Sequence, residues 1–181
     1  MRLTNTAALA ATVVLAATLG GCAKPEAAKP DAANPGDTAK VAEQIKGEMS
    51  QLVADFLSKD VAKAVAHDAP DYVGMFHGTP NVIGVAGDTE VTKQQAADPN
   101  VKLAITTDAV DVAQAGDMAV ARNTYDYTFT DPATKAAKTE HGNWVVGFKK
   151  QADGSFKIAW AVVSDSPPAA AAAPAAAPEK K

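Results

Sequence analysis

A single cysteine, Cys22, stands in the whole chain, so no internal disulfide can form and a thiolate cluster around a metal is excluded. Basic residues fall short of acids, 17 against 21, for a net charge of −4. That balance argues against nucleic acid, whose phosphates select basic surfaces. Aromatic side chains make up only 6% and all lie between Phe56 and Trp160. Histidine is limited to His67, His77 and His141, and no two are spaced for a local zinc site. Gly84-Val85-Ala86-Gly87 has neither a dinucleotide repeat nor a phosphate-loop lysine, and no serine sits in a nucleophile elbow. No metal or cofactor is therefore expected. Beyond the first 21 residues no apolar run is long enough to span a bilayer.

What is present begins with the two ends. Arg2 precedes an apolar run from Ala7 to Thr18, which suits a secretory leader and is short for a membrane helix. Leu19-Gly20-Gly21-Cys22 follows and resembles the bacterial lipobox, which implies cleavage before Cys22 and acylation of its thiol and amine. Several acyl chains, at ~0.8 kcal/mol per buried CH₂, hold a soluble domain on a membrane essentially permanently. Ala23, not an aspartate, follows the cysteine. By resemblance to sorted lipoproteins this favours the outer membrane, facing the periplasm. The mature chain loses Arg2 and no acid, so its net charge moves from −4 to −5. The acyl chains, and not electrostatics, would then hold it at anionic lipid.

The expected organisation is a leader over 1–21, a lipidated Cys22 with a flexible tether to 37, a folded domain over 38–165, and a disordered Pro/Ala tail over 166–181. Both appendages lack the large apolar side chains needed to offset ordering entropy. Pro167, Pro168, Pro174 and Pro178 interrupt the helix that the alanines would favour.

Within the domain, Val41, Ile45, Met49, Leu52, Val53, Phe56 and Leu57 form one helical stripe over 38–57, with Asp37 as its N-cap. Asp60 can start a second short helix, with Val61, Ala64 and Val65 inward, and Pro70 ends it. Tyr72–Phe76 reads as a strand, 77–81 as a turn, and Val82–Val85 as a strand pairing back. Asp88 can cap a third helix, Thr89–Ala97. Strands then dominate. One starts near Val101. A long one, Met118–Thr130, turns Ala119, Ala121, Asn123, Tyr125, Tyr127 and Phe129 inward, with Arg122, Thr124 and Asp126 outward. A third runs from about Thr139 to Lys150, and a fourth, after the Asp153-Gly154 hairpin, places Phe156, Ile158, Trp160 and Val162 on one face. Helices segregated before a strand meander imply an α+β domain with an antiparallel sheet over N-terminal helices.

Several strings carry a family resemblance: Gly116-Asp117-Met118-Ala119-Val120-Ala121-Arg122; Tyr125 with Phe129-Thr130-Asp131-Pro132; Gly142-Asn143-Trp144 through Lys149-Lys150; and Ala152-Asp153-Gly154-Ser155-Phe156-Lys157-Ile158. With the element order, they resemble the nuclear transport factor 2-like superfamily, in its SnoaL-like or ketosteroid isomerase-like branch, over roughly residues 40–165. The resemblance implies a cystatin-like cone, a curved antiparallel sheet closed by helices, with a pocket in its mouth. It also implies a homodimer through the outer sheet face, as in many members. Relatives often carry Arg-Asp where this chain has Trp160-Ala161, and Trp where it has Phe156. The missing charged pair removes one candidate for acid–base work.

The implied pocket makes Tyr72, His77, Tyr125, Tyr127, Trp144 and Trp160 the candidates for contact with an apolar ligand. Isomerase-type catalysis needs a carboxylate base and proton donors for an enolate oxygen. Asp68, Asp71, Asp126 and the tyrosines are of the right types, but their spacing matches no motif, and Asp68 and Asp71 stand at commonly solvated positions. No catalytic residue is assigned. The first expectation is a lipid-anchored envelope protein binding a small apolar molecule or a protein partner. The alternatives are an isomerase, cyclase or dehydratase, and a structural dimerisation module.

Overall fold

The computed structural model describes residues 35–166. The leader, Cys22, most of the tether and nearly all of the Pro/Ala tail lie outside the described residues.

Helix α1 spans Pro35–Leu57. It starts before the expected position, with Pro35 at its first residue, where a fixed φ and a missing N–H cost nothing. Asp37 therefore lies in the first turn and is not the N-cap, though its charge still suits the helix N-terminus. Ile45 and Met49 are wholly buried, and burial of each is worth about 1.5–3 kcal/mol. Leu57, read as part of the stripe, is 40% exposed. Lys59, in the left-handed region at φ 63°, reverses the chain into α2, Val61–Val65. The Asp60 carboxylate caps α2 by accepting from the Lys63 N–H at 3.2 Å.

Strand β1 (Asp68–Phe76) follows at once, and β2 (Val82–Ile83) pairs back on it antiparallel. Gly84, at φ +68°, turns the chain into α3, Gly84–Ala97. This helix begins well before Thr89, so Asp88 is inside it and does not cap it. Strands β3 (Lys102–Val112), β4 (Met118–Thr130), β5 (Ala137–Lys150) and β6 (Phe156–Asp165) complete the chain. β4 has the bounds that its alternation predicted.

The six strands form one open sheet in the order β2-β1-β6-β5-β4-β3. Neighbours run antiparallel except β1 and β6, which pair in parallel. The sheet is thus not wholly antiparallel as expected: β1 precedes the meander and returns beside its last strand. The core lies between α1 and the inward sheet face, where Ile45 and Met49 join Tyr72, Ala121, Val146 and Phe148. The architecture is α+β, a curved sheet with its helices on one face.

One irregularity decides which residues face inward. Phe148 stands opposite Ile158 while the preceding Gly147 stands opposite Trp160, which leaves Ala159 as an extra residue in β6. A bulge of one residue inverts the alternation beyond it. Phe156 and Ile158 join the core before the bulge, and Ala161 joins it beyond. Trp160 and Val162 turn to the outer face, contrary to the expected single face. The Trp160 indole lies across Gly147, where a Cβ would collide with it. The outer face also carries Val145 between Arg122 and Val162, and the exposed pairs Arg122–Asp111 at 3.1 Å and His141–Asp126.

Candidate functional site

A cavity of about 230 Å³ opens between the helices and the inward sheet face. Its apolar wall comes from Leu52 and Phe56 of α1, Leu103 of β3, and Ile158, Ala161 and Val163 of β6. Its polar groups come from four elements. Asp68 and Tyr72 are on β1, Asp88, Thr92 and Gln95 on α3, Tyr125 and Tyr127 on β4, and Glu140 and Trp144 on β5.

Five of the six residues expected to contact a ligand line this space: Tyr72, His77, Tyr125, Tyr127 and Trp144. Trp160 does not, because the bulge carries it outward. Two glycines make room for the tyrosine rings. A Cβ on Gly142 would meet the Tyr125 ring at 2.6 Å, and one on Gly74 would meet the Tyr72 hydroxyl at 2.7 Å.

Sequence reasoning missed Asp88 and placed Asp68 in solvent. Both carboxyls reach the cavity. Asp88 shares a face of α3 with Val91, Thr92 and Gln95, at helical spacings of three and four. That spacing was a usable signal once the helix start was known. The Thr92 hydroxyl donates to Asp88 Oδ2 at 3.4 Å. Asp71, the other acid of the Pro70 segment, is 70% exposed beside Lys149 at 3.5 Å. Asp126 faces outward, paired with His141.

The electrostatics of the pair follow from burial. Ionised, Asp68 Oδ2 is buried with no hydrogen-bond donor among the described residues. Protonated, it becomes a donor that the Asp88 carboxylate can accept. Burial first, then the charge and hydrogen bond of Asp88, push the Asp68 carboxyl far above the usual range, against a smaller pull from Lys157. Burial also raises Asp88, against the hydrogen bonds from Asp68 and Thr92. The pair therefore retains a proton that two solvated aspartates would lose. Burial and the same two carboxylates raise Tyr72, so its hydroxyl stays a donor. Burial pushes Tyr127 up to about 12, with Asp98 adding to it. It raises Tyr125 as well, where Glu140 and Asp165 contribute.

At the rim, His77 Nε2 lies 3.7 Å from Glu140 Oε2, and Lys138 Nζ lies 3.2 Å from Glu140 Oε1. The Trp144 indole N–H is buried with no acceptor among the described residues. Asn123 fixes that strand segment: it accepts from the Thr107 hydroxyl at 2.7 Å and donates to the Trp144 carbonyl at 2.8 Å. Among the described residues no three His, Cys, Asp or Glu gather as metal ligands. Nor is any described helix long and apolar enough to cross a membrane. The site can bury an apolar body, offer donors from Trp144 and Tyr72, and hold or exchange a proton at Asp68–Asp88.

Comparison with known proteins agrees with this architecture. The family profile of the SnoaL-like domain matches residues 31–169. A ketosteroid isomerase-like protein from Erwinia carotovora atroseptica superposes with a TM-score of 0.61 at 23% identity, covering 70% of this chain and 97% of that one. A nuclear transport factor 2-like protein with a cystatin-like fold from Novosphingobium aromaticivorans gives 0.58 at 15% identity, covering 71% and 83%. No curated protein matches the chain.

Proposed function

The chain belongs to the SnoaL-like domain family, and on that footing we propose that it is a lipid-anchored envelope protein whose cone captures a small, mainly apolar molecule bearing a polar group. One observation carries the binding half: two residues that line the cavity each hold a buried polar atom without a partner among the described residues, the Trp144 indole N–H and, when Asp68 is ionised, its Oδ2. Buried polar atoms are nearly always paired, so orphans on cavity-lining side chains mark places for ligand atoms. The mature chain from residue 22 with Cys22→Ser, free of the leader and of acylation at that position, serves for the test. In a proton–nitrogen correlation spectrum, small aromatic and aliphatic compounds with a polar head should shift the Trp144 indole signal, assigned through Trp144→Phe. A Trp144 signal that no compound of a broad library moves would overturn the proposal.

The anchoring half rests on the Leu19-Gly20-Gly21-Cys22 string alone, with Ala23 favouring the outer membrane. Radioactive palmitate should label the wild type and not Cys22→Ser, which should also leave the membrane fraction. Labelling of the variant would refute the anchor.

The Asp68–Asp88–Tyr72 group favours a second reading, an acid–base enzyme of isomerase or dehydratase type. An ionised carboxylate would take a proton next to a carbonyl, and Tyr72 with protonated Asp68 would donate to the enolate oxygen. Conjugation of a β,γ-unsaturated ketone, followed by ultraviolet absorbance and lost in Asp68→Asn, would support it. No turnover above buffer leaves binding as the activity.

A further inference from the structure

We infer that the cavity is built for a small organic cation, an amine or ammonium group carried on a short apolar or aromatic body. This deepens the ligand-binding reading above and rests on it.

The charges facing the void have one sign. Asp68 enters from β1, Asp88 from α3 and Glu140 from β5, and among the described residues no Lys or Arg lines the space. At the rim, His77, 42% exposed, and Lys138 both stand beside Glu140. Lys157 acts on Asp68 from outside the lining, with its Nζ committed to the Ala66 carbonyl. An anionic ligand would therefore enter against the Asp68–Asp88 pair with no Lys or Arg among the described lining residues to receive it, the rim cations being paired with Glu140, in a setting where charge interactions are strong.

A neutral ligand would leave the acid pair as it is, with a proton standing in for a missing cation. An ammonium group does more. It brings the N–H donor that Asp68 Oδ2 lacks and the charge that lets both carboxyls ionise. The released proton leaves with water, so the exchange is one cation for one proton, and no bond to carbon changes. The walls suit the same guest. Tyr72, Tyr125, Tyr127 and Trp144 surround the void, and aromatic faces attract cations while their rims cover an apolar body. At about 230 Å³ the space is smaller than the usual ~300–1,000 Å³ of a drug-sized site, which limits the guest to a few carbons beyond one ring.

The test uses three probes of one shape and different charge: benzylamine, benzyl alcohol and benzoate. Each is titrated near neutral pH into the Cys22→Ser chain, with the Trp144 indole signal as readout. Benzylamine should bind about tenfold or more tighter than benzyl alcohol, and benzoate should not bind. In Asp68→Asn, whose amide keeps the shape, the ratio of amine to alcohol affinity should fall about tenfold. If the alcohol binds as tightly as the amine, or Asp68→Asn keeps the preference, the cation inference fails and the binding reading survives. If none of the three probes moves the signal of a well-dispersed spectrum, the cation inference fails, and the broad library decides the binding reading. Should Asp68→Asn not fold, Glu140→Gln and the wild-type ranking decide the matter.

Discussion

Replacing Asp68 by Asn should make the protein more stable at alkaline pH, and the sign follows from where the proton sits. Folded, Asp68 keeps its proton to about 8, because it is buried against Asp88. Unfolded, it releases the proton near ~3.9. The folded state binds the extra proton between these values, so the stability it contributes is full below about pH 4 and is lost as pH rises through about 8. The slope is about 1.4 kcal/mol per pH unit for one proton held only by the folded state. Asp68 is not fully enclosed and water can enter the cavity, so the loss from pH 5 to pH 8 is better put at about 1–2 kcal/mol. The groups that act on it are Asp88 from α3, itself hydrogen-bonded by Thr92, Tyr72 from its own strand and Lys157 from β6. Asn carries no charge and keeps an N–H for Asp88. Urea unfolding at pH 5, 6.5 and 8, at constant slope, should show the two midpoints diverging, the variant gaining as pH rises. Asp71→Asn, on an exposed carboxylate beside Lys149, is the control and should track the wild type. If Asp68→Asn also runs parallel to the wild type across this range, Asp68 is ionised in the fold and the shared-proton picture is wrong.

Other substitutions probe the frame around the site. Gly147→Ala drives a Cβ into the Trp160 indole on the outer face and should cost about 1–3 kcal/mol in chemical denaturation; no change would mean that Trp160 does not lie across β5. Asn123→Ala leaves the Trp144 carbonyl without its donor and should cost about 1–3 kcal/mol, with the Trp144 indole signal displaced before any ligand is added. The Asp98 carboxylate accepts from the Thr130 N–H at 2.6 Å and the Asn100 N–H at 2.8 Å, and these bonds with the Thr130 hydroxyl hold its pKa below the usual range. Asp98→Ala should therefore speed hydrogen exchange at the Thr130 amide, and protection equal to the wild type would refute that tie between the end of α3 and β4.

The regular parts of the fold could be read from periodicity, and the site could not, for a reason visible in three residues. β4 alternates without interruption, so both its bounds and its inward row of Ala119, Ala121, Asn123 and Tyr125 follow from period two. β6 contains one extra residue, and nothing in Phe156-Lys157-Ile158-Ala159-Trp160 marks Ala159 as the bulge, because Ala fits either face. The slip sends Trp160 outward and brings Ala161 and Val163 to the cavity. Asp88 was hidden by its own chemistry. An aspartate before a helical run is the usual cap, but Gly84 at φ +68° starts the helix earlier and rotates Asp88 inward. Asp68 follows a short helix and precedes Ala69-Pro70, which reads as loop, yet β1 begins there and registers Asp68 beside Ile158. The paired carboxyls are thus set by a helix start and a strand start, neither of which leaves a periodic trace. An acid–aromatic pocket of this kind can therefore sit in a sequence whose alternation and apolar stripes report only the fold. The physical clue to the pocket is what the fold leaves unmet: a carboxyl oxygen and an indole N–H, on two residues that line the same void, buried without a partner among the described residues.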